Sequence, residues 1–200
     1  TLQAIVDFAR AHDLWIWSDA VYDALIYEGE NHSLADLAPE RTFVAGSFSK
    51  VYGMAGYRVG WLLGPADGGA MQEVRKVSTH TFYSAPTAGQ IAAARVLSTG
   101  ADWLADCVEA YRAAGNAAAD VLGVPRPAAG TFLFVDVGPA LGPGGLEAFL
   151  HRCLDHNLVL APGTSCGAIY DQHVRVCFTS APPDVVDRGV RVLAGLIHGR

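Results

Sequence analysis

Ala45-Gly46-Ser47-Phe48-Ser49-Lys50-Val51-Tyr52-Gly53-Met54-Ala55-Gly56-Tyr57-Arg58-Val59-Gly60-Trp61 is the stretch on which the reading of this chain turns. It sits in a window, residues 42–66, of twenty-five residues with only two charges, Lys50 and Arg58, both cationic and set among Gly, Ser and apolar side chains. Residues 42–45 and 59–63 are short apolar runs of the kind that form strands covered on both faces of an α/β sheet, with Gly-rich turns between them. A lysine in a turn is ordinarily a solvated one. Here Lys50 is one of two lysines in 200 residues and closely follows the end of a strand. An amine held in an apolar cleft beside another cation has its ammonium form disfavoured, the condition for a Schiff-base nucleophile. The hydroxyls of Ser47 and Ser49, backbone N–H groups in a Gly/Ser turn and the Arg58 fork together make a phosphate cradle. An aldehyde-reactive lysine beside a phosphate site points to pyridoxal phosphate.

Working outward, residues 14–18 (LWIWS) read as a further buried strand, preceded by a helix from Leu2 that runs out near His12 and Asp13. Asp19 closes that strand at the carboxyl edge of the sheet, where open α/β sheets bind ligands. A lone Asp at a strand end is commonly a cap; beside a pyridine ring a carboxylate has a specific task, keeping the ring nitrogen protonated so that the ring withdraws electrons. Tyr22, three residues on, is placed to hydrogen-bond the ring's phenolic oxygen. A mostly helical pattern covers residues 66–78, a helix start at Ser84-Ala85-Pro86-Thr87 leads into a helix reaching Leu97, and an Ala-rich helix spans 103–122. After Pro125-Arg126-Pro127 the runs 131–137, 158–161 and 173–178 read as strands, with helices over 146–155 and 184–198. The expected organisation is three-part: residues 1–100 in an α/β sheet layer, 101–124 as a connecting helix, and 125–200 as a smaller α+β domain.

The composition narrows the function classes. A chain that is 51% apolar and 17% charged must fold, and the low charge suggests an interface. Twelve Arg and two Lys against twenty acidic residues give a net charge of −6 with no basic run, which leaves no footprint for nucleic acid. No apolar stretch of membrane-spanning length and no secretory signal is evident. The four cysteines lie 46, 13 and 11 residues apart, which fits neither a metal site nor a disulfide scaffold; they read as buried small hydrophobes in a reducing cytoplasm.

The segments SDAVYDALIY (18–27), AGSFSKVYGMAGYRVGW (45–61) and HVRVCF (173–178) together resemble the class I and II aminotransferases, fold-type I pyridoxal-phosphate enzymes, and the resemblance runs from Thr1 to the last helix. It implies part of the large-domain sheet of that fold with flanking helices, followed by the smaller C-terminal α+β domain. It implies that Lys50 forms the internal aldimine with pyridoxal 5′-phosphate and moves the proton between substrate and cofactor. Asp19 would be the pyridinium partner, Tyr22 the partner of the cofactor's O3′, and Ser47, Arg58 and, less regularly in the family, Ser49 the phosphate ligands. Arg175 would clamp the substrate α-carboxylate, a task its bidentate fork suits better than a lysine would. Amino acids and keto acids would be the substrates and a homodimer the assembly.

The same resemblance brings departures. Relatives run to nearly twice this length, so a preceding half is expected that carries a Gly-rich phosphate turn, a ring-stacking aromatic and an Asn. Residues 162–167 (PGTSCG) hold Cys166 where many relatives have Phe, which leaves the common amino-acid substrates open. Tyr27, Tyr83, Phe132 and Cys166 are candidates for side-chain contact. The same residues would serve a lyase, a replacement enzyme or a cyclase such as the synthase of capreomycidine, and an aminotransferase-like domain also occurs in some transcription regulators.

Overall fold

The computed structural model describes residues 1–199 and divides into two compact units, Thr1–Asp106 and the residues from Cys107 onward. Unit 1 runs through α1 (Leu2–Ala11), β1 (Ile16–Asp19), α2 (Leu34–Leu37), β2 (Thr42–Ser47), α3 (Phe48–Val51), β3 (Gly60–Leu63), α4 (Gly69–Thr81) and α5 (Thr87–Thr99). The division falls within the long helix α6 (Ala101–Leu122), after which unit 2 continues with β4 (Phe132–Asp136), α7 (Gly145–Asp155), β5 (Ala161–Pro162), β6 (His173–Cys177) and α8 (Pro183–His198). The mixture of helices and sheets is the α/β class expected. Among the described residues no helix is long and apolar enough to cross a membrane.

In unit 1, β2 is the central strand: β1 pairs with it in parallel and β3 antiparallel. One face of this sheet is closed by α1 through a cluster of Val6, Ala9, Ile16 and Ala38, with Leu34 packed against it. A second cluster, Phe48, Met54, Val59 and Ala93, holds the segment after β2 against α5. Each such aliphatic or aromatic side chain, when fully buried, contributes about 1.5–3 kcal/mol. The apolar runs 14–18 and 59–63 were expected to be covered on both faces, and they are not. The first strand begins only at Ile16, and Trp17 is 63% exposed and Leu63 60% exposed. A continuous apolar run specifies a strand without saying which of its faces has a neighbour. Trp15 and Trp17 instead lean on Phe43, with ring centroids 5.4 and 5.9 Å away.

In unit 2 the order is β4-β6-β5, antiparallel throughout. Period-2 alternation sends Leu133 and Val135 of β4 and Val174 and Val176 of β6 into a core with Phe149 and Cys153 of α7 and Val190 and Leu193 of α8. Gly115 lets α6 lie against this layer: a Cβ there would come 2.8 Å from Pro127 and 3.0 Å from the Phe178 ring. The strand expected over 158–161 shrinks to the two residues of β5, because only Ala161 and Pro162 find partners on β6. Of the cysteines, Cys153 is buried and Cys107 and Cys177 half-buried, but Cys166 is exposed, so it is not the buried hydrophobe expected. Burial pushes the Tyr111 hydroxyl up to about 12, with the neighbouring Cys107 thiol adding to the rise.

Candidate functional site

The strand directions of unit 1 collect the sequence-derived residues at one edge of its sheet. β1 and β2 are parallel, so Asp19 and Ser47, their last residues, finish at the same end, with Asp19 in register with Ala45. β3 runs back from that end, and its first residue, Gly60, faces Ser47 across the ladder. Lys50 lies within α3, which follows β2 directly, and Arg58 precedes β3 by two residues. The antiparallel return therefore brings Arg58 back beside the turn that carries Ser47, Ser49 and Lys50.

Local chemistry fixes each of these. Asp19 accepts a hydrogen bond from the Val21 backbone N–H at 3.3 Å through one carboxylate oxygen, the capping role of a strand-end Asp. Tyr22 lies half-buried in the following turn, which Leu25, fully buried, anchors through its N–H bond to the Tyr22 carbonyl. Burial raises the neighbouring Asp23 carboxyl from its ordinary value. Ser47 caps α3, accepting from the Ser49 N–H at 3.0 Å; its own hydroxyl proton remains for a further acceptor. Arg58 is in the left-handed region, φ 54°, and donates to the Ala55 carbonyl at 2.8 Å. A non-glycine residue held there is strained by its surroundings, as at many functional turns.

The placement of Lys50 differs from the expectation of an amine in an apolar cleft. On the single turn of α3, Phe48 and Val51 are buried, three residues apart, and that spacing turns Lys50 outward. Its ammonium is exposed and makes no ion pair among the described residues. Lys76, the other lysine, is a solvated residue of α4, pairing with Glu73 at 2.6 Å. Beside Arg58 a depression of about 570 Å³ is lined by Gly46, Gly60, Trp61, Phe82, Ser84 and Pro86, among others. The sequence marked Ser84 only as part of a helix start, and nothing in its spacing signalled that it shares this depression with Arg58. Gly46 is required there: the Trp61 indole lies where a Cβ would be.

Arg175 lies on β6 of unit 2, exposed, opposite Phe134 of β4 and Ala161 of β5. No acidic side chain among the described residues pairs with it. Its guanidinium carbon instead lies 4.5 Å from the centroid of the Phe132 ring. His173, two residues before on the same face, stacks on Phe134 at 4.9 Å with 12° between the rings, and its Nδ1 is buried without a hydrogen-bond partner among the described residues.

Residues 1–193 match the family model described as aminotransferase class I and II. The chain is 33% identical over 187 residues to the arginine–pyruvate transaminase of Pseudomonas aeruginosa, covering 88% of this chain and 46% of that protein. It is 28% identical over 203 residues to the aspartate/prephenate aminotransferase of Thermus thermophilus, covering 96% and 51%. Among solved structures, the aspartate aminotransferase of Thermus thermophilus with maleate superposes with a TM-score of 0.83 at 27% identity, over 98% of this chain and 51% of that one. The chain spans about half the length of the curated relatives it matches. With a match that takes in all but its last few residues, and the lysine-bearing turn within it, the chain belongs to the class I and II aminotransferases, a family of pyridoxal-phosphate-dependent transferases.

Proposed function

We propose that the protein is an amino-acid aminotransferase that passes an amino group from an amino acid to a 2-oxo acid with pyridoxal 5′-phosphate held at Lys50. The observation that carries this reading is the convergence of Asp19, Ser47, Lys50 and Arg58 at one sheet edge, produced by the parallel β1–β2 and antiparallel β2–β3 pairings.

The donor set fits the cofactor. Its parts need a primary amine for the aldehyde, a cation and hydroxyls for the phosphate dianion, and a carboxylate for the ring nitrogen, and each type is present once or more at this edge. Bound there, the cofactor supplies an electron sink that acidifies the substrate α-hydrogen. Lys50 would hold the cofactor through its Nζ, and the same amine would accept and return the substrate α-proton. Asp19 presents the oxygen not used by Val21 to the ring nitrogen and holds a proton on it. Tyr22 orients the ring through its phenolic oxygen. Arg58 and the hydroxyls of Ser47 and Ser49 bind the phosphate, the arginine by its planar fork. Arg175 binds the α-carboxylate that every amino acid and 2-oxo acid carries.

Purified protein is to be loaded with pyridoxal phosphate and screened with single amino acids, L-arginine and L-aspartate among them, against pyruvate and 2-oxoglutarate. Two half-reactions predict parallel double-reciprocal plots and accumulation of the pyridoxamine form when only the amino donor is present. Turnover that releases ammonia, or a cyclised product, with no pyridoxamine form would replace transamination by elimination or ring closure.

A further inference from the structure

We propose that Phe132 is a positioning residue for Arg175, a ring platform that holds the guanidinium ready for a carboxylate without occupying any of its donors. The inference rests on the reading of Arg175 as the carboxylate fork.

The geometry follows from the β4–β6 ladder. Asp136 faces His173, Phe134 faces Arg175 and Phe132 faces Cys177. Yet neither His173 nor Arg175 associates with the side chain directly opposite. His173 stacks on Phe134, at 4.9 Å, and Arg175 lies over Phe132, at 4.5 Å. Each β6 side chain leans one diagonal step along the sheet, a separation that aromatic and long side chains can span. The two contacts are coupled. Phe134 is the ring nearest Arg175 by register, but it stacks on His173 and makes a perpendicular contact with Tyr170, with centroids 5.1 Å apart at 90°. Arg175 lies over Phe132 instead.

The mode of holding matters for binding. A guanidinium donates through its N–H groups, and a phenyl ring offers them no oxygen acceptor. An acidic partner would orient the arginine but use up the same N–H pair that a substrate carboxylate needs. A ring orients it and leaves the fork open. An unsupported arginine would lose side-chain freedom on grasping a carboxylate; held over Phe132, it has given up part of that freedom beforehand. The expected consequence falls on carboxylate affinity in general, with no preference for one substrate side chain.

The test uses the full-length protein loaded with pyridoxal phosphate, with binding of pyruvate and of 2-oxoglutarate followed by calorimetry and steady-state kinetics run alongside. Phe132→Leu should raise the Kd for both acids about two- to fivefold, the size of an exposed cation–π contact, and should raise KM more than it changes kcat. Phe132→Tyr, which keeps the ring, should restore the Kd. In an Arg175→Gln background Phe132→Leu should cause no further change. A Kd unchanged by Phe132→Leu, or weakened equally by Phe132→Tyr, or weakened still further in the Arg175→Gln background, overturns the platform. If Arg175→Gln alone leaves both affinities unchanged, the carboxylate role of Arg175 itself is wrong, which is a separate outcome.

Discussion

Asp19 and Ser47 project from the same face of the unit 1 sheet: Asp19 is in parallel register with Ala45, and Ser47 is two residues further along that strand. The two side chains are the terminal ones of adjacent parallel strands, so a carboxylate and a hydroxyl stand at a shared edge before any ligand arrives. Backbone hydrogen bonds fix that relation, with the Ala20 N–H reaching the Ala45 carbonyl at 2.8 Å and the Ser47 Oγ tied to Ser49. Lys50 is then placed by one turn of helix whose inward residues are Phe48 and Val51. The edge is assembled by pairing and packing alone.

Lys50→Ala should leave this assembly intact, because the side chain is exposed and no contact of the fold depends on it. The substitution should abolish the visible absorbance that a lysine-bound pyridoxal phosphate gives near neutral pH, and with it turnover. Absorption spectra and far-UV circular dichroism of the loaded variant check both halves. A retained absorbance band would assign the covalent attachment to another amine; within these 200 residues the other lysine is Lys76, already paired with Glu73.

Much of this was legible in the sequence, and the limits have physical causes. Lys50 and Arg58 stood out because cations are rare in an apolar, glycine-rich window, and the periodicity of α8 and α6 located both helices within about two residues of their ends. Exposure was not legible. LWIWS and 59–63 look like core strands because apolar runs encode burial without naming the element that covers each face, and Trp17 and Leu63 are open. Residues 158–161 have the composition of a strand, but a strand needs a partner, and only Ala161 and Pro162 have one. The Phe132–Arg175 contact was hidden for a related reason. It depends on the β4–β6 register, and on His173 having taken Phe134, and neither is written in local spacing.

The ion pair between α1 and the start of β2 predicts a specific response to acid. Arg10 donates to both carboxylate oxygens of Glu40, at 3.0 and 3.3 Å, and to the Leu37 carbonyl at 3.0 Å. These bonds hold the Glu40 carboxyl down to about 2 from its ordinary 4.5. A carboxyl lowered by folding stabilises the folded state above its unfolded value and loses that contribution as pH falls through its folded value. Wild type should therefore exceed Glu40→Gln in urea midpoint above pH 4.5, and the two should converge as pH falls toward 2. Because the pair is solvent-exposed, about 1 M salt should shrink the gap. Midpoints that stay equal from neutral pH downward would mean that the pair contributes nothing to folding.

The closest backbone approach at the site edge sets the last prediction. A Cβ on Gly60 would lie 2.6 Å from the Gly46 carbonyl oxygen, while a Cβ on Gly56, in the turn just before, would meet nothing within 4 Å. Alanine for glycine restricts the unfolded chain and by itself adds about 0.4–1 kcal/mol of stability. At Gly56 that gain stands unopposed. At Gly60 the obstacle is main chain across the ladder, which cannot rotate away as a side chain could, and overpacking of this kind costs about 1–3 kcal/mol. The clash should win. Gly60→Ala should destabilise by about 1 kcal/mol or more in urea, and Gly56→Ala should be neutral or mildly stabilising. Because Gly60 faces Ser47 and follows Arg58 by two residues, the same substitution should also weaken pyridoxal phosphate binding, read by equilibrium dialysis. If Gly60→Ala proves as mild as Gly56→Ala on both measures, the β2–β3 spacing yields freely, and close approach of the two strands is no requirement for holding Ser47 beside Arg58.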